Sequence, residues 1–216
     1  MAEQRKRSLV KAFAKAAAKT VVGVILGASL LYFGWIGAVY AGRGEPLTKS
    51  EAQLVQGVFG DEINPSLLRK HFRAETTPKS PFATKASVGM VMPPFSHIDF
   101  YGPAATSNDY ASDNEFRFGV FMHEVTHCWQ GQNLAFPLKE FEVYKYTLLP
   151  NSRWRDFGAE QQADIVENYS KRWLYPANVH IKHTAEDSLL AKVVETRFPQ
   201  AKKTRLQLEE GGPRHA

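Results

Sequence analysis

Residues 115–132, EFRFGVFMHEVTHCWQGQ, constrain the fold more than any other stretch of the chain. On a helix, at about 100° per residue, Phe118, Phe121, Met122, Val125, Cys128 and Trp129 make one continuous apolar stripe, while His123 and His127 point to nearly the opposite side. A chain holding such a helix must bury one of its faces in a core and set the other against something polar. Two histidines satisfied inside a core would share the stripe, and these two do not.

His123-Glu124-Val125-Thr126-His127 is an HExxH pattern. Residues four apart on a helix lie on one face within about 6 Å, near enough for both imidazoles to reach one ion at about 2.0–2.1 Å. Zinc suits that donor set, and Glu124 is placed to act as general base on a water the ion activates. Such a centre needs a third protein ligand and one open position. The metzincin spacing would require Gly at 130 and His at 133, where Gln130 and Asn133 stand. A later helix, expected over 156–175, offers Glu160 with Asp164 one turn on, while Ala163, Val166, Tyr169 and Trp173 line its other side. The expected centre is therefore Zn2+ on His123, His127 and Glu160, with Asp164 accepting the outer N–H of a liganding histidine. Glu167 shares that face and is the rival third ligand. Cys128 is the single cysteine, which excludes an intrachain disulfide and a CxxC metal site. Its place on the apolar stripe reads as burial, and Trp129, Trp154 and Trp173 read as core.

The rest of the chain falls into zones. Residues 1–20 hold Arg5, Lys6, Arg7, Lys11, Lys15 and Lys19 against Glu3, so they carry the whole net charge of +5 and leave the remainder formally neutral. A neutral body lacks the basic footprint of phosphate binding, which argues against a nucleic-acid partner. Val21–Ala41 contains no charged residue and, at about 1.5 Å per residue, is long enough as a helix to span a hydrocarbon core. Basic residues before it predict a single-pass inner-membrane protein, with a cytoplasmic N-terminus and an extracytoplasmic catalytic domain. A cleaved signal peptide and a secreted product is the alternative.

After the apolar segment the pattern predicts one compact domain over 42–180 and a C-terminal helix with a basic tail over 181–216. Thr48-Lys49-Ser50-Glu51 is a capping box opening a helix near 48–59, stopped by Gly60. Short apolar runs at 86–92 and 98–101 predict a strand pair, and 102–114 a loop. Leu189, Leu190, Val193 and Val194 give 184–198 helical periodicity; beyond Pro199 the polar, basic sequence predicts a fraying tail.

HEVTHCWQ followed by GAEQQADIVENY resembles the gluzincin metallopeptidases, whose pattern is HExxH with ExxxD on a downstream helix. More narrowly, PLTKSEAQLVQGVFGDEI, HIDFYG and HEVTHCWQ resemble zincin-like domains called Vgr-related and the extracellular contractile injection system core domain, over roughly residues 46–170. The resemblance implies an α+β fold with a strand beside the active-site helix, zinc on His123, His127 and Glu160, and Glu124 as base. It also implies a Tyr or His beyond the third ligand to bind developing charge, for which Tyr169, Tyr175, His180 and His183 are available. The expected function is a membrane-anchored zinc metallopeptidase acting on protein or peptide. The alternative is a non-catalytic accessory or scaffold module of a secretion or envelope complex. The apolar segment is not part of that domain pattern.

Overall fold

A computed structural model describes residues 44–73, 88–91, 96–135, 137, 145–178 and 183–211, together with Gly27, Leu31 and Gly34. The chain divides into two units, Met1–Arg43 and Gly44–Ala216. In the first, Gly27, Leu31 and Gly34 are helical and exposed, and the rest of the expected span lies outside the described residues. Among the described residues no helix is long and apolar enough to cross a membrane. The longest of them, Glu115–Gln132, carries Glu115, Arg117 and Glu124. The expected single-pass membrane placement is corrected on that ground, and the kinship reported below points the same way.

The second unit is α+β. Helix α1, Lys49–Phe59, opens with the expected capping box: the Thr48 hydroxyl accepts from the Glu51 N–H, and Glu51 accepts from the Thr48 N–H at 2.8 Å. The cap does more than start a helix. Oε1 of the fully buried Glu51 also accepts from Lys70 Nζ at 2.8 Å and from the Tyr110 N–H at 2.9 Å. A buried ion pair is costly to desolvate and persists when such extra hydrogen bonds satisfy it. Gly60 ends the helix at φ +60°, a conformation glycine enters freely.

Four strands form one sheet in the order β1-β2-β4-β3: β1 Glu45–Pro46, β2 Arg69–Arg73, β3 Gly89–Val91 and β4 His97–Tyr101. β2 and β4 are parallel, and the two outer pairs are antiparallel. The expected strand pair corresponds to β3 and β4, with Gly89 opposite Phe100 and Val91 opposite Ile98. β2 was not expected, because Arg69-Lys70-His71-Phe72-Arg73 has no apolar alternation; Lys70 is buried through its bond to Glu51 instead.

Helix α2, Glu115–Gln132, begins where Asn114 accepts from the Arg117 N–H and buries the expected stripe. Its Phe121 stacks on Tyr110, which stacks on Phe100 of β4, so an aromatic column ties helix to sheet. Helix α3 is Ala159–Trp173, shorter than the expected 156–175. Residues 154–156 are a 3-10 turn, and Phe157 and Gly158 are extended before the first helical residue. α2 lies between the sheet and α3.

Helix α4, Ala185–Arg197, is followed by α5, Pro199–Glu209, which replaces the expected fraying tail. Proline at the first position of α5 starts a helix rather than ending order. Ala201, Thr204 and Leu208 are buried, and Thr204 donates to the Gly57 carbonyl on α1 at 2.8 Å. Arg197 forms a two-pronged ion pair with Glu62 at 2.8 and 2.6 Å and lies 4.9 Å above the Trp129 ring.

Candidate functional site

The face of α2 opposite its apolar stripe meets α3, and the two helices bring His123, His127 and Glu160 together. His123 Nε2 is 3.3 Å from His127 Nε2 and 3.3 Å from Glu160 Oε2, and His127 Nε2 is 3.4 Å from the same oxygen. These three atoms make a nearly equilateral triangle. A tetrahedral centre with ligands at about 2.0–2.1 Å requires donors about 3.3–3.4 Å apart, so the donor set has the spacing of a zinc site. The imidazole rings stand nearly edge-on, at 75° to one another, so each turns its Nε2 inward.

Asp164 and Glu167 both lie on the other side of His123. Nδ1 of that ring is 3.1 Å from Asp164 Oδ1 and 3.3 Å from Glu167 Oε2. Glu167 thus stands behind a candidate ligand rather than beside the triangle, and Lys171 holds it at 3.0 Å. Gly119, one turn before His123, makes room: a Cβ there would come within 2.8 Å of both Glu167 Oε1 and Lys171 Cδ.

Glu124 is buried and its Oε2 has no hydrogen-bond partner among the described residues. The backbone of β3 presses on it, since a Cβ on Gly89 would lie 2.6 Å from both Glu124 Cγ and Oε1. Burial raises the Glu124 pKa, with the two histidines pulling the other way. Burial would lower both imidazoles, yet hydrogen bonds to Asp164, Glu160 and Glu167 raise His123 well above its usual value, and one to Glu160 raises His127. Glu160 is held far below the carboxylate range: its burial is outweighed by hydrogen bonds from both rings. Four carboxylates around two imidazoles leave an excess of negative charge. Lys171 offsets part of it at Glu167, and protons on the rings or a divalent ion would offset the rest.

Of the residues considered for binding developing charge, Tyr169 has its hydroxyl 3.1 Å from both Glu195 Oε1 and the Ala201 carbonyl inside the α3–α4–α5 core. Tyr175 packs on Phe118, and His183 stacks on Trp173. His180 lies outside the described residues. Cys128 is buried, and burial pushes its thiol pKa well up. Sequence reasoning missed Gly89, Gln130 and Gln162. Gln130 could have been found, because it sits three residues after His127 on the same helix face; Oε1 of Gln130 is 2.8 Å from His127 Nδ1.

No family model matches the chain. It is 32% identical over 168 residues to the type VI secretion system spike protein VgrG2b of Pseudomonas aeruginosa, a match covering 72% of this chain and 16% of that protein's length. The solved structure of the effector domain of Pseudomonas aeruginosa VgrG2b superposes with a TM-score of 0.52 at 27% identity, covering 78% of this chain and 95% of that domain. A secretion-system effector domain, not a single-pass membrane protein, is thus what the chain is kin to, which also overturns the expected membrane placement. By sequence and by fold, the chain is a homologue of the VgrG2b effector domain, and its Vgr-related resemblance is supported.

Proposed function

We propose that the chain is a secretion-system-associated effector module whose folded unit is a zincin-like, gluzincin-type peptide hydrolase. Kinship to the effector domain of a spike protein supports the first half of that reading. The second half is carried by one observation: a buried carboxylate oxygen of Glu124 without a partner, next to a donor triangle of zinc dimensions. In this reading His123, His127 and Glu160 hold Zn2+. The ion, when bound, polarises a carbonyl oxygen and lowers the pKa of a water toward about 7. Glu124 would take up a water proton at its buried carboxylate and return it to the leaving amine. Asp164 fixes the plane of the His123 ring from behind. β3 ends the sheet among the described residues and touches Glu124 through Gly89. An extended peptide added along that edge would run beside the base, which makes protein or peptide the fitting substrate class.

Metal analysis of the purified full chain, paired with hydrolysis of an unfolded protein, tests the reading. One zinc per chain is expected, with proteolysis that Glu124→Gln abolishes while zinc stays bound. Absence of zinc, or unchanged proteolysis in Glu124→Gln, overturns it. A non-catalytic accessory or scaffold module is the second reading, favoured by the kinship to a spike-protein domain. It predicts secretion-dependent function that survives Glu124→Gln.

A further inference from the structure

The two histidines differ in what stands behind them. His123 Nδ1 faces carboxylates, whereas His127 Nδ1 faces the side-chain oxygen of Gln130, a neutral and fully buried amide, at 2.8 Å. The Gln130 nitrogen lies 3.1 Å from the Ala159 carbonyl and 3.1 Å from Gln162 Oε1. The nitrogen of Gln162, also buried, lies 3.3 Å from the Trp154 carbonyl and 3.2 Å from the Phe157 carbonyl.

The direction of this chain is set at its far end. Backbone carbonyls only accept, so Gln162 must turn its nitrogen toward Trp154 and Phe157 and its oxygen toward Gln130. Gln130 then commits both N–H groups, to Ala159 and to Gln162, and has only its oxygen left for His127. That oxygen also accepts, and at 2.8 Å it is closer to Nδ1 than the Glu160 carboxylate is to Nε2, at 3.4 Å, so the proton of a neutral His127 ring sits on Nδ1 and the lone pair sits on Nε2. Nε2 is the atom in the triangle with His123 and Glu160. Flipping either amide would set oxygen against oxygen and strand buried acceptors.

We infer that Gln130 and Gln162 are positioning residues that lock His127 as its Nδ1–H tautomer, so that Nε2 meets the metal as a ready donor. The use of this lock rests on the zinc reading above; its geometry does not. One ligand is backed by anions and the other by a neutral relay anchored in the turn at 154–157 and the first residue of α3.

The test is nitrogen NMR of the full chain labelled in histidine, with zinc and, metal-free, at alkaline pH where the rings are neutral. His127 is expected to carry its proton on Nδ1 in both states. Gln130→Met should blur that signature and weaken zinc binding by about 10–100-fold, the usual cost of losing a partner behind a ligand. Gln162→Met, which does not touch His127, should move the same signal the same way by less, and the double variant should be no weaker than Gln130→Met alone. A proton on Nε2 in the wild type overturns the lock, as does a Gln130→Met variant that keeps both the Nδ1–H signal and zinc affinity. Should Gln130→Met fail to fold, the wild-type spectrum and Gln162→Met decide. A wild type that takes up no zinc overturns the metal reading alone, and the metal-free spectrum still decides the tautomer.

Discussion

Glu124 and Gly89 are best considered as a pair. The carboxylate is buried against a strand whose backbone can come that close only without a side chain, so Gly89→Ala must push the base aside. The expected result is a loss of proteolysis with zinc content unchanged, and an overpacking cost of about 1–3 kcal/mol in chemical denaturation. Asp164→Asn should weaken zinc binding by about 10–100-fold in a chelator competition, since it removes the negative charge nearest His123 Nδ1. Helical spacing grouped His123, Glu124 and His127 on one helix and Glu160 with Asp164 on another; joining the two groups rested on the need for a third ligand and on the gluzincin resemblance. No such period links Gly89 to Glu124 or Gln162 to His127. Those contacts depend on where a strand and a second helix come to rest.

Among the elements, the ones the pattern revealed carry strong local signals: a capping box for α1, an apolar stripe for α2, a run of short apolar stretches for β3 and β4. β2 was hidden because its central buried residue is Lys70, acceptable there only through Glu51 on another element. α5 was hidden because its buried stripe is sparse, just Ala201, Thr204 and Leu208 in a basic sequence. Its docking on α1 can be measured. Thr204→Val keeps the shape and removes the hydrogen bond to the Gly57 carbonyl, which should lower unfolding stability by about 1–3 kcal/mol, because a buried acceptor is left unpaired. No change would mean that α5 holds to the body without that bond.

For the whole molecule, the proposed metal and pH would act on the same rings. In the metal-free fold His123 and His127 titrate above the ordinary 6.5. A raised pKa lends stability that is complete below 6.5 and is lost as pH climbs through the folded value. His71, His97 and His183, held below 6.5 by burial first, are already neutral above it and add no slope there. The chelated protein should therefore melt at a lower temperature near about pH 8 than near pH 6.5, and Glu160→Gln should flatten the difference. Zinc-loaded protein should gain stability over the same range, because the donors give up their protons to bind. The grip of Arg197 on Glu62, and of Thr204 on Gly57, spans 135 and 147 residues of chain. During synthesis the helix bearing both histidines is complete long before those partners emerge. Closing loops of that length is expected to set the refolding rate, ahead of helix formation. Until Phe198 has left the ribosome, the end of that helix at Trp129 accordingly lacks part of its cover.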